Sequence, residues 1–326
     1  MKKSICLCAL LALMLFHADY VTEGARNGLL LWYSSVVPAL FPFMVLSGLI
    51  VAGGGISVLM SPFYLFLHPL LGLSKAGCYV LVSGLLCGYP MGAKAACDLV
   101  KEGSVTKKQG QWLMCCCNLP SPMFLTGFIR IPAVTWAVYL PAVLLLIPVF
   151  FFSKQTNVKS FSNIQPVNQV THQSEKQLSN RPKRQIKGRF NNQPELRFEA
   201  PPKVMPLLEQ AMEASVKIMI KIGIYMMIFS ILSVWIQNFH FLSPFMRTLL
   251  PGLSEMTIGI NAAKNAGFPI RQQAILCAIF CTFGGCSGLS QTKSVTDEAA
   301  FSMKFYIIVR LLHVAAAAMI IFCWRF

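Results

Sequence analysis

Charge is scarce in this sequence, and acidic charge is the scarcest. Only 12% of the 326 residues are charged, with 12 Asp or Glu against 28 Lys or Arg, while 55% are hydrophobic. Soluble domains usually carry about 25% charged residues, so this composition excludes an ordinary soluble protein. Strands of alternating polarity, as in a membrane barrel, are also missing. A backbone in lipid must then be satisfied within helices. We therefore predict an all-α, polytopic integral membrane protein.

The familiar sequence signatures of enzymes and metal sites are missing as well. There is no Gly-x-Ser-x-Gly elbow, no His-Glu-x-x-His, no P-loop and no Rossmann fingerprint. The 12 cysteines form no Cys-x-x-Cys pair, and the five histidines have no carboxylate next to them in sequence. We expect a protein that is not an enzyme and that holds no metal or other cofactor. A membrane hydrolase stays open as an alternative, although no pair of nucleophile and base is evident.

Long apolar segments dominate what is present. A membrane helix needs about 20 apolar residues, and several segments reach that length. The apolar segments span residues 29–51, 56–73, 78–86, 112–129, 134–152, 216–236, 274–289 and 305–324. Together with a leading apolar run at 5–16, they predict about eight to ten membrane segments. The short segments 78–86 and 274–289 are either full crossings or re-entrant hairpins.

Composition changes abruptly at residues 154–203, where polar residues replace aliphatic ones. This stretch holds ten Lys or Arg against three Glu. It cannot bury enough apolar surface to offset chain entropy, and cytoplasmic loops gather basic residues, so we predict a disordered cytoplasmic linker. The linker separates an N-terminal transmembrane half, residues 1–153, from a C-terminal half, residues 204–326. Membrane orientation accounts for the basic excess, so we expect contact with membrane lipid but no nucleic-acid partner.

The two halves resemble each other. Residues 23–50 align without a gap to residues 209–236, and residues 88–122 align to residues 252–286. Identities are few, and membrane sequences rich in Leu, Ala and Gly often resemble themselves. Residues 88–122 and residues 252–286 nevertheless share the order of a Gly break, a short helix, a basic link, an apolar run and a second polar break. We interpret the halves as repeats, because inverted repeats with broken helices are a recurring plan of secondary transporters.

Four polar breaks interrupt the apolar surroundings. They are GYPMGAK at 88–94, NLPSP at 118–122, GLSEMTIGIN at 252–261 and GGCSGLSQT at 284–292. Irregular backbone at membrane depth is tolerated only inside protein or along a watery cavity. A helix that begins after such a break presents partially positive amide groups, which favour an anion. The breaks are therefore the candidate substrate-binding site, at the interface between the repeats.

Lys94 and Glu255 are the charged residues in these breaks. In one interpretation Lys94 binds the anionic part of a solute, and Glu255 is its charge partner or a proton site. In the other, Lys94 extends to water beside Asp98, and Glu255 lies in an interfacial turn. The other candidates would orient the solute or merely join helices. The full set of candidate binding residues is Gly88, Tyr89, Pro90, Lys94, Asn118, Ser121, Glu255, Asn261, Ser287 and Gln291.

The order of these motifs resembles a known family. GYPMGAK, CCCNLPSPMFLTG, SEMTIGI and FGGCSGLSQT are similar to four elements of the YlbJ, or SpoVV, family of sporulation integral membrane proteins. That family is grouped with membrane proteins that carry the nucleoside-recognition Gate domain, here at residues 23–129 and again in the C-terminal half. The resemblance implies a carrier in an endospore-forming bacterium, with dipicolinic acid as the candidate solute and the outer forespore membrane as the location. Cys87 and Cys117 depart from the expected pattern.

Residues and resemblance together predict a multi-pass transporter for a small anionic solute, with a possible coupling ion. Dipicolinate is a flat dianion at neutral pH, which suits the amino ends of helices. Two alternatives stay open. One is a non-transporting scaffold or sensor for spore formation, and the other is a carrier of a nucleoside-like solute.

Overall fold

The computed structural model describes residues 2–53, 55–154, 204–239 and 241–325, and every regular element in this part is a helix. The helices of the N-terminal half are α1 (Lys2–Phe16), α2 (Ala18–Leu31), α3 (Val37–Ala52), α4 (Ile56–Leu71), α5 (Lys75–Cys87), α6 (Met91–Lys101), α7 (Lys107–Cys117), α8 (Pro122–Phe124), α9 (Pro132–Leu144) and α10 (Leu146–Lys154). Those of the C-terminal half are α11 (Val204–Gln237), α12 (Pro244–Ser254), α13 (Met256–Asn265), α14 (Ile270–Phe283), α15 (Gly285–Thr296) and α16 (Met303–Cys323).

Short π-helical and 3-10 segments join some of these helices. Trp32–Val36 connects α2 to α3, and Leu125–Ile129 extends α8, both with π geometry. Asp297–Ala299 forms a 3-10 turn after α15. The predicted linker, apart from Lys154 at the end of α10, lies outside the described residues.

The helices confirm an all-α polytopic membrane protein. Six of the described helical stretches are long and apolar enough to cross a bilayer, or seven if α4 and α5 count as one span bent by 103°. The six are Ala18–Ile50, Lys107–Ile129, Pro132–Phe151, Val204–Gln237, Ile270–Ala299 and Met303–Cys323.

This number is smaller than the eight to ten segments that the apolar runs predict. The run at 78–86 belongs to α5, which has 13 residues and ends at the first break. The leading run lies in α1, whose 15 residues extend only about 22 Å. Both are too short for a hydrocarbon core of about 30 Å. The run at 274–289 is not a separate hairpin, because it lies within the stretch Ile270–Ala299.

The two halves follow the same order of elements. In the first, α5 and α6 flank one break, and α7 and α8 flank the next before α9. In the second, α12 and α13 flank one break, and α14 and α15 flank the next before α16. The helices after the first breaks, α6 and α13, are followed by Gly103 and Gly267, which have matching φ angles of 73° and 71°. That order is the one the sequence alignment of the halves uses, and the repeat itself stays a prediction.

The longest helix, α11, packs along α2 and α3 and so ties the two halves together. Gly24 and Gly28 of α2 make the close approach possible, since a Cβ at Gly24 would lie 2.5 Å from the Ile231 Cα. A Cβ at Gly28 would lie 2.9 Å from the Met227 Cα. Small residues four apart are a common device for membrane helix pairs, because lipid gives no hydrophobic drive for association.

Two apolar cores lie on either side of the breaks. One is built around α5, α6 and α7, and the other around α9, α14 and α16. Free, buried cysteines fill both as small apolar residues: Cys78, Cys97, Cys115, Cys116, Cys117, Cys277 and Cys281. Large apolar side chains also point outward, among them Phe66, Leu140, Leu312 and Phe322. An apolar exterior of this kind suits a lipid environment.

We expect Gly24→Ala to weaken the pairing of α2 with α11. The new Cβ meets backbone atoms of Ile231, which cannot move aside cheaply, so overpacking should cost about 1–3 kcal/mol of stability. Gly127→Ala is the matched control, because nothing lies within 4 Å of a Cβ there. Thermal melting of both detergent-purified variants measures the effect. Equal melting temperatures would contradict the role assigned to this helix pair.

Candidate solute site at four helix breaks

All four breaks contribute residues to the wall of one partly open cavity. Helices α3 and α11 close it with apolar side chains such as Leu40 and Met226. The residues that the breaks contribute to its wall are Gly88, Tyr89, Pro120, Ser121, Glu255, Met256, Thr257, Gly284, Gly288 and Gln291. Segments separated by up to about 200 residues of sequence thus share one polar-edged, mainly apolar space, as ligand sites usually do.

The two breaks of the first half cross each other directly. The Tyr89 amide donates to the Leu119 carbonyl oxygen at 3.0 Å, so the freed backbone groups of one break satisfy those of the other. Gly88 has φ +79°, and a Cβ there would lie 2.7 Å from the Ser121 nitrogen. Only glycine fits this crossing. Ser121 caps α8 by accepting from the Phe124 amide at 3.2 Å.

The breaks of the second half cross in the same manner. Gly285 has φ +68°, and a Cβ there would lie 3.0 Å from the Ser254 oxygen and 3.2 Å from the Met256 nitrogen. Gly284, which ends α14, has φ +82°. Each half therefore brings its two breaks into backbone contact through a left-handed glycine.

Asn118 joins the halves. Its side chain is 1% exposed, and its Nδ2 donates to the Thr292 hydroxyl at 3.0 Å and to the Tyr306 hydroxyl at 2.8 Å. Its Oδ1 accepts from the Ala93 amide at 3.4 Å. One amide side chain thus links α6, α15 and α16, as in the alternative in which Asn118 joins helices, and its role in orienting a solute stays a prediction.

Glu255 lies buried in the cavity wall, with 3% of its surface exposed. Its carboxylate caps α13, accepting from the Ile258 amide at 2.9 Å and from the Thr257 hydroxyl. No Lys or Arg in the described part of the chain forms an ion pair with it. A buried acid with a polar shell and no counter-charge is an unusual feature in a membrane protein.

Tyr89 stands between this cavity and the core behind it. A Cβ at Gly284 would lie 3.9 Å from the Tyr89 ring, and one at Gly288 would lie 3.8 Å from it. The Tyr89 hydroxyl donates to the Met256 sulfur. The ring is therefore packed against the fourth break and held to the third.

The remaining candidates lie at different distances from the cavity. Pro90 is buried at the start of α6, and Ser287 is buried and accepts from Gln291 Nε2 at 3.0 Å. Neither contributes to the cavity wall. Asn261 is exposed and accepts from Asn265 one turn later.

Lys94 is also outside the cavity. Its Nζ lies 2.6 Å from Asp98 Oδ2, with the two side chains 31% and 44% exposed. This is the arrangement of the second interpretation, in which Lys94 extends to water beside Asp98. Its role as an anion ligand stays a prediction that the placement does not favour.

The sequence reasoning overlooked Arg310, together with Tyr306 and Thr292 beside it. Arg310 lies in the middle of α16, is 1% exposed, and donates through Nη2 to the Asn118 carbonyl oxygen. The signal was available, since a charged residue inside a 21-residue apolar helix is a functional candidate by default.

The breaks also aim helix amino ends at the cavity. Helices α6, α13 and α15 begin at three of them, with 11, 10 and 12 residues. Glu255 caps α13, and Asn118 Oδ1 accepts from the Ala93 amide in the first turn of α6. The N-cap residue of α15 is Gly284, which has no side chain, so this amino end keeps its partial positive charge, which favours an anion. The described residues hold no cluster of three or more His, Cys, Asp or Glu suited to a metal.

One relative is similar over almost the whole chain. It is the sporulation integral membrane protein YlbJ of Bacillus subtilis (strain 168), 25% identical over 338 residues, covering 97% of this chain and 80% of the relative. No protein-family profile and no solved structure matches the chain. The alignment supports the family that the four motifs indicate, and the Gate domain stays a prediction.

We expect Asn118→Ala to destabilise the protein by about 1–3 kcal/mol, because it leaves the Ala93 amide and the polar groups of Thr292 and Tyr306 without their shared partner. Asn265→Ala removes an exposed amide with one bond inside its own helix, so it should cost little. Thermal melting in detergent compares the two. An equal decrease in melting temperature in the two variants would contradict the role of Asn118 as a shared hydrogen-bond partner of three helices.

Proposed function

We propose that this member of the YlbJ family of sporulation integral membrane proteins is a membrane carrier for a small organic anion, with dipicolinate as the candidate solute. The observation that carries the proposal is the meeting of four helix breaks at one cavity between the two halves. Secondary transporters with inverted repeats place the solute in this position, near the middle of the membrane.

The cavity suits a small, flat, partly apolar solute. Its wall is mainly apolar and carries a few polar groups, as the walls of small-molecule sites usually do. Apolar side chains of α3 and α11, such as Leu40 and Ile222, would pack on an aromatic ring, and Ser121 and Gln291 would donate to polar atoms. The amino end of α15, whose N-cap residue Gly284 has no side chain, favours a carboxylate over a neutral nucleoside.

Transport requires the cavity to open alternately to the two sides of the membrane. The long helix α11 packs on α2 and α3 along one flank, and the breaks of both halves cross at the centre. Rocking of one repeat against the other around the crossing would preserve the bonds within each half. The contacts between halves, Asn118 to Thr292 and to Tyr306, would change.

The setting of this transport is proposed from the family. The Bacillus subtilis relative is named a sporulation integral membrane protein. We propose that this chain likewise acts during spore formation, in the outer forespore membrane, where it would move the anion toward the spore. A scaffold or sensor would occupy the same membrane without moving a solute.

Uptake into proteoliposomes tests the carrier. Wild-type protein should accumulate labelled dipicolinate, and Gln291→Leu should reduce uptake about tenfold or more, because it leaves a polar group of the bound solute without a partner. Gln272→Leu is the matched control, since Gln272 is exposed on α14 outside the cavity. Uptake no faster than in empty liposomes, from protein that still binds dipicolinate, would favour the sensor.

Glu255 is the proposed site of coupling to a proton or another cation. Its buried carboxylate has no cationic partner in the described residues, so a bound cation would offset its charge. Glu255→Gln keeps an oxygen for the cap of α13 but removes that charge. We expect wild-type uptake to respond to an imposed ion gradient and the variant to lose the response while still binding solute. Glu102→Gln, at an exposed position, should respond like wild type.

A further inference from the structure

Arg310 is a buried cation whose charge the surrounding protein leaves without a counter-charge. It lies within α16, one of the membrane-spanning helices, and is 1% exposed. Within the described residues it forms no ion pair with Asp or Glu. A cation at such a depth needs an anionic or polar partner.

The contacts of Arg310 use only part of its guanidinium. Nη2 donates to the Asn118 carbonyl oxygen, and the guanidinium carbon lies 4.8 Å from the centroid of the Tyr306 ring. Nη1 is buried and has no hydrogen-bond partner among the described residues. A purely structural arginine would have its donors satisfied, because a buried unsatisfied donor is costly. The free Nη1 therefore points to a ligand.

Arg310 lines a small space that we call the Arg310 compartment. Besides Arg310, its wall includes Tyr89, Asn118, Thr282, Gly284, Thr292 and Tyr306. Tyr89, Gly284 and Gly288 belong to both this compartment and the larger cavity. The compartment is thus the inner end of the candidate site, on the far side of the Tyr89 ring.

We propose that the Arg310 compartment is the subsite for a carboxylate of the transported anion, with Arg310 Nη1 as its charged donor. The inference rests on the proposed function and adds the anchoring residue. A guanidinium with a free edge is the side chain best suited to a carboxylate. The cation that recognises the solute is then Arg310 and not Lys94, whose charge Asp98 already offsets.

The compartment is closed in this conformation. Its side chains lie too close together to admit a solute, and the Tyr89 ring separates it from the open cavity. A carboxylate can reach Nη1 only if Tyr89 moves away from Gly284 and Gly288. Tyr89 is therefore the inner gate, and its bond to the Met256 sulfur ties that gate to the third break.

Equilibrium binding of labelled dipicolinate to the full chain in lipid nanodiscs tests the subsite without requiring transport. Arg310→Gln should weaken binding about tenfold or more, the usual effect of losing a charged hydrogen-bond donor. Arg310→Lys keeps the charge but loses the planar fork, so it should bind more weakly than wild type and more tightly than Arg310→Gln. Arg271→Gln, at an exposed position on α14, is the matched control and should bind like wild type.

Competition for dipicolinate binding is measured in the wild-type protein, so misfolding of a variant cannot affect the result. Isophthalate, a dicarboxylate of similar shape, should displace dipicolinate, whereas the neutral pyridine-2,6-dicarboxamide should not. Wild-type affinity in either folded Arg310 variant, or equal displacement by the neutral diamide, would overturn the subsite. Binding that depends on Arg310 without any uptake would overturn the carrier alone. Uptake that is unchanged in a folded Arg310 variant would overturn the subsite alone.

Discussion

Lipid offers no hydrogen bonds, so every backbone group that a helix break frees must find its partner inside the protein. This constraint explains why the four breaks lie together. The Tyr89 amide is satisfied by the Leu119 carbonyl of the next break, the Pro120 carbonyl by the Tyr139 hydroxyl, and the Asn118 carbonyl by Arg310. Glycines with positive φ let the chains cross at contact distance. Of these bonds, the one from Arg310 to the Asn118 carbonyl oxygen joins the two halves.

The same constraint distinguishes Lys94 from Arg310 as the cation that could bind the solute, because their partners differ. Lys94 is partly exposed, and Asp98 one turn later offsets its charge, so water and one carboxylate suffice for it. Arg310 has no access to water and receives only a backbone carbonyl and an aromatic face. A cation that is buried without a counter-charge is available to bind an anionic solute, and Arg310 fulfils this condition. Glu255 presents the complementary case, an acid in the wall of the larger cavity that forms no ion pair within the described residues.

The likeness to YlbJ of Bacillus subtilis extends over nearly the whole chain and so includes both halves and all four breaks. A relationship of that extent is expected where several distant segments must fit one another, because a change in one break would have to be matched in the others. The likeness supports a sporulation-related membrane protein, and the proposal of a carrier rests on the cavity.

The sequence by itself determined the membrane class, the helices and the positions of the breaks, because apolar length and the backbone chemistry of Gly and Pro are local properties. GYPMGAK and GGCSGLSQT interrupt their helices through local Gly and Pro chemistry, which does not depend on how those helices pack against others. Only the tertiary structure decided which side chains face the cavity. Asn118 meets Thr292 and Tyr306 across 174 and 188 residues, contacts that no local pattern encodes. Lys94 and Arg310 differ in the same way: both are cations on helices, and the packing of the two halves, not their sequence neighbours, left one at the surface and buried the other beside the site.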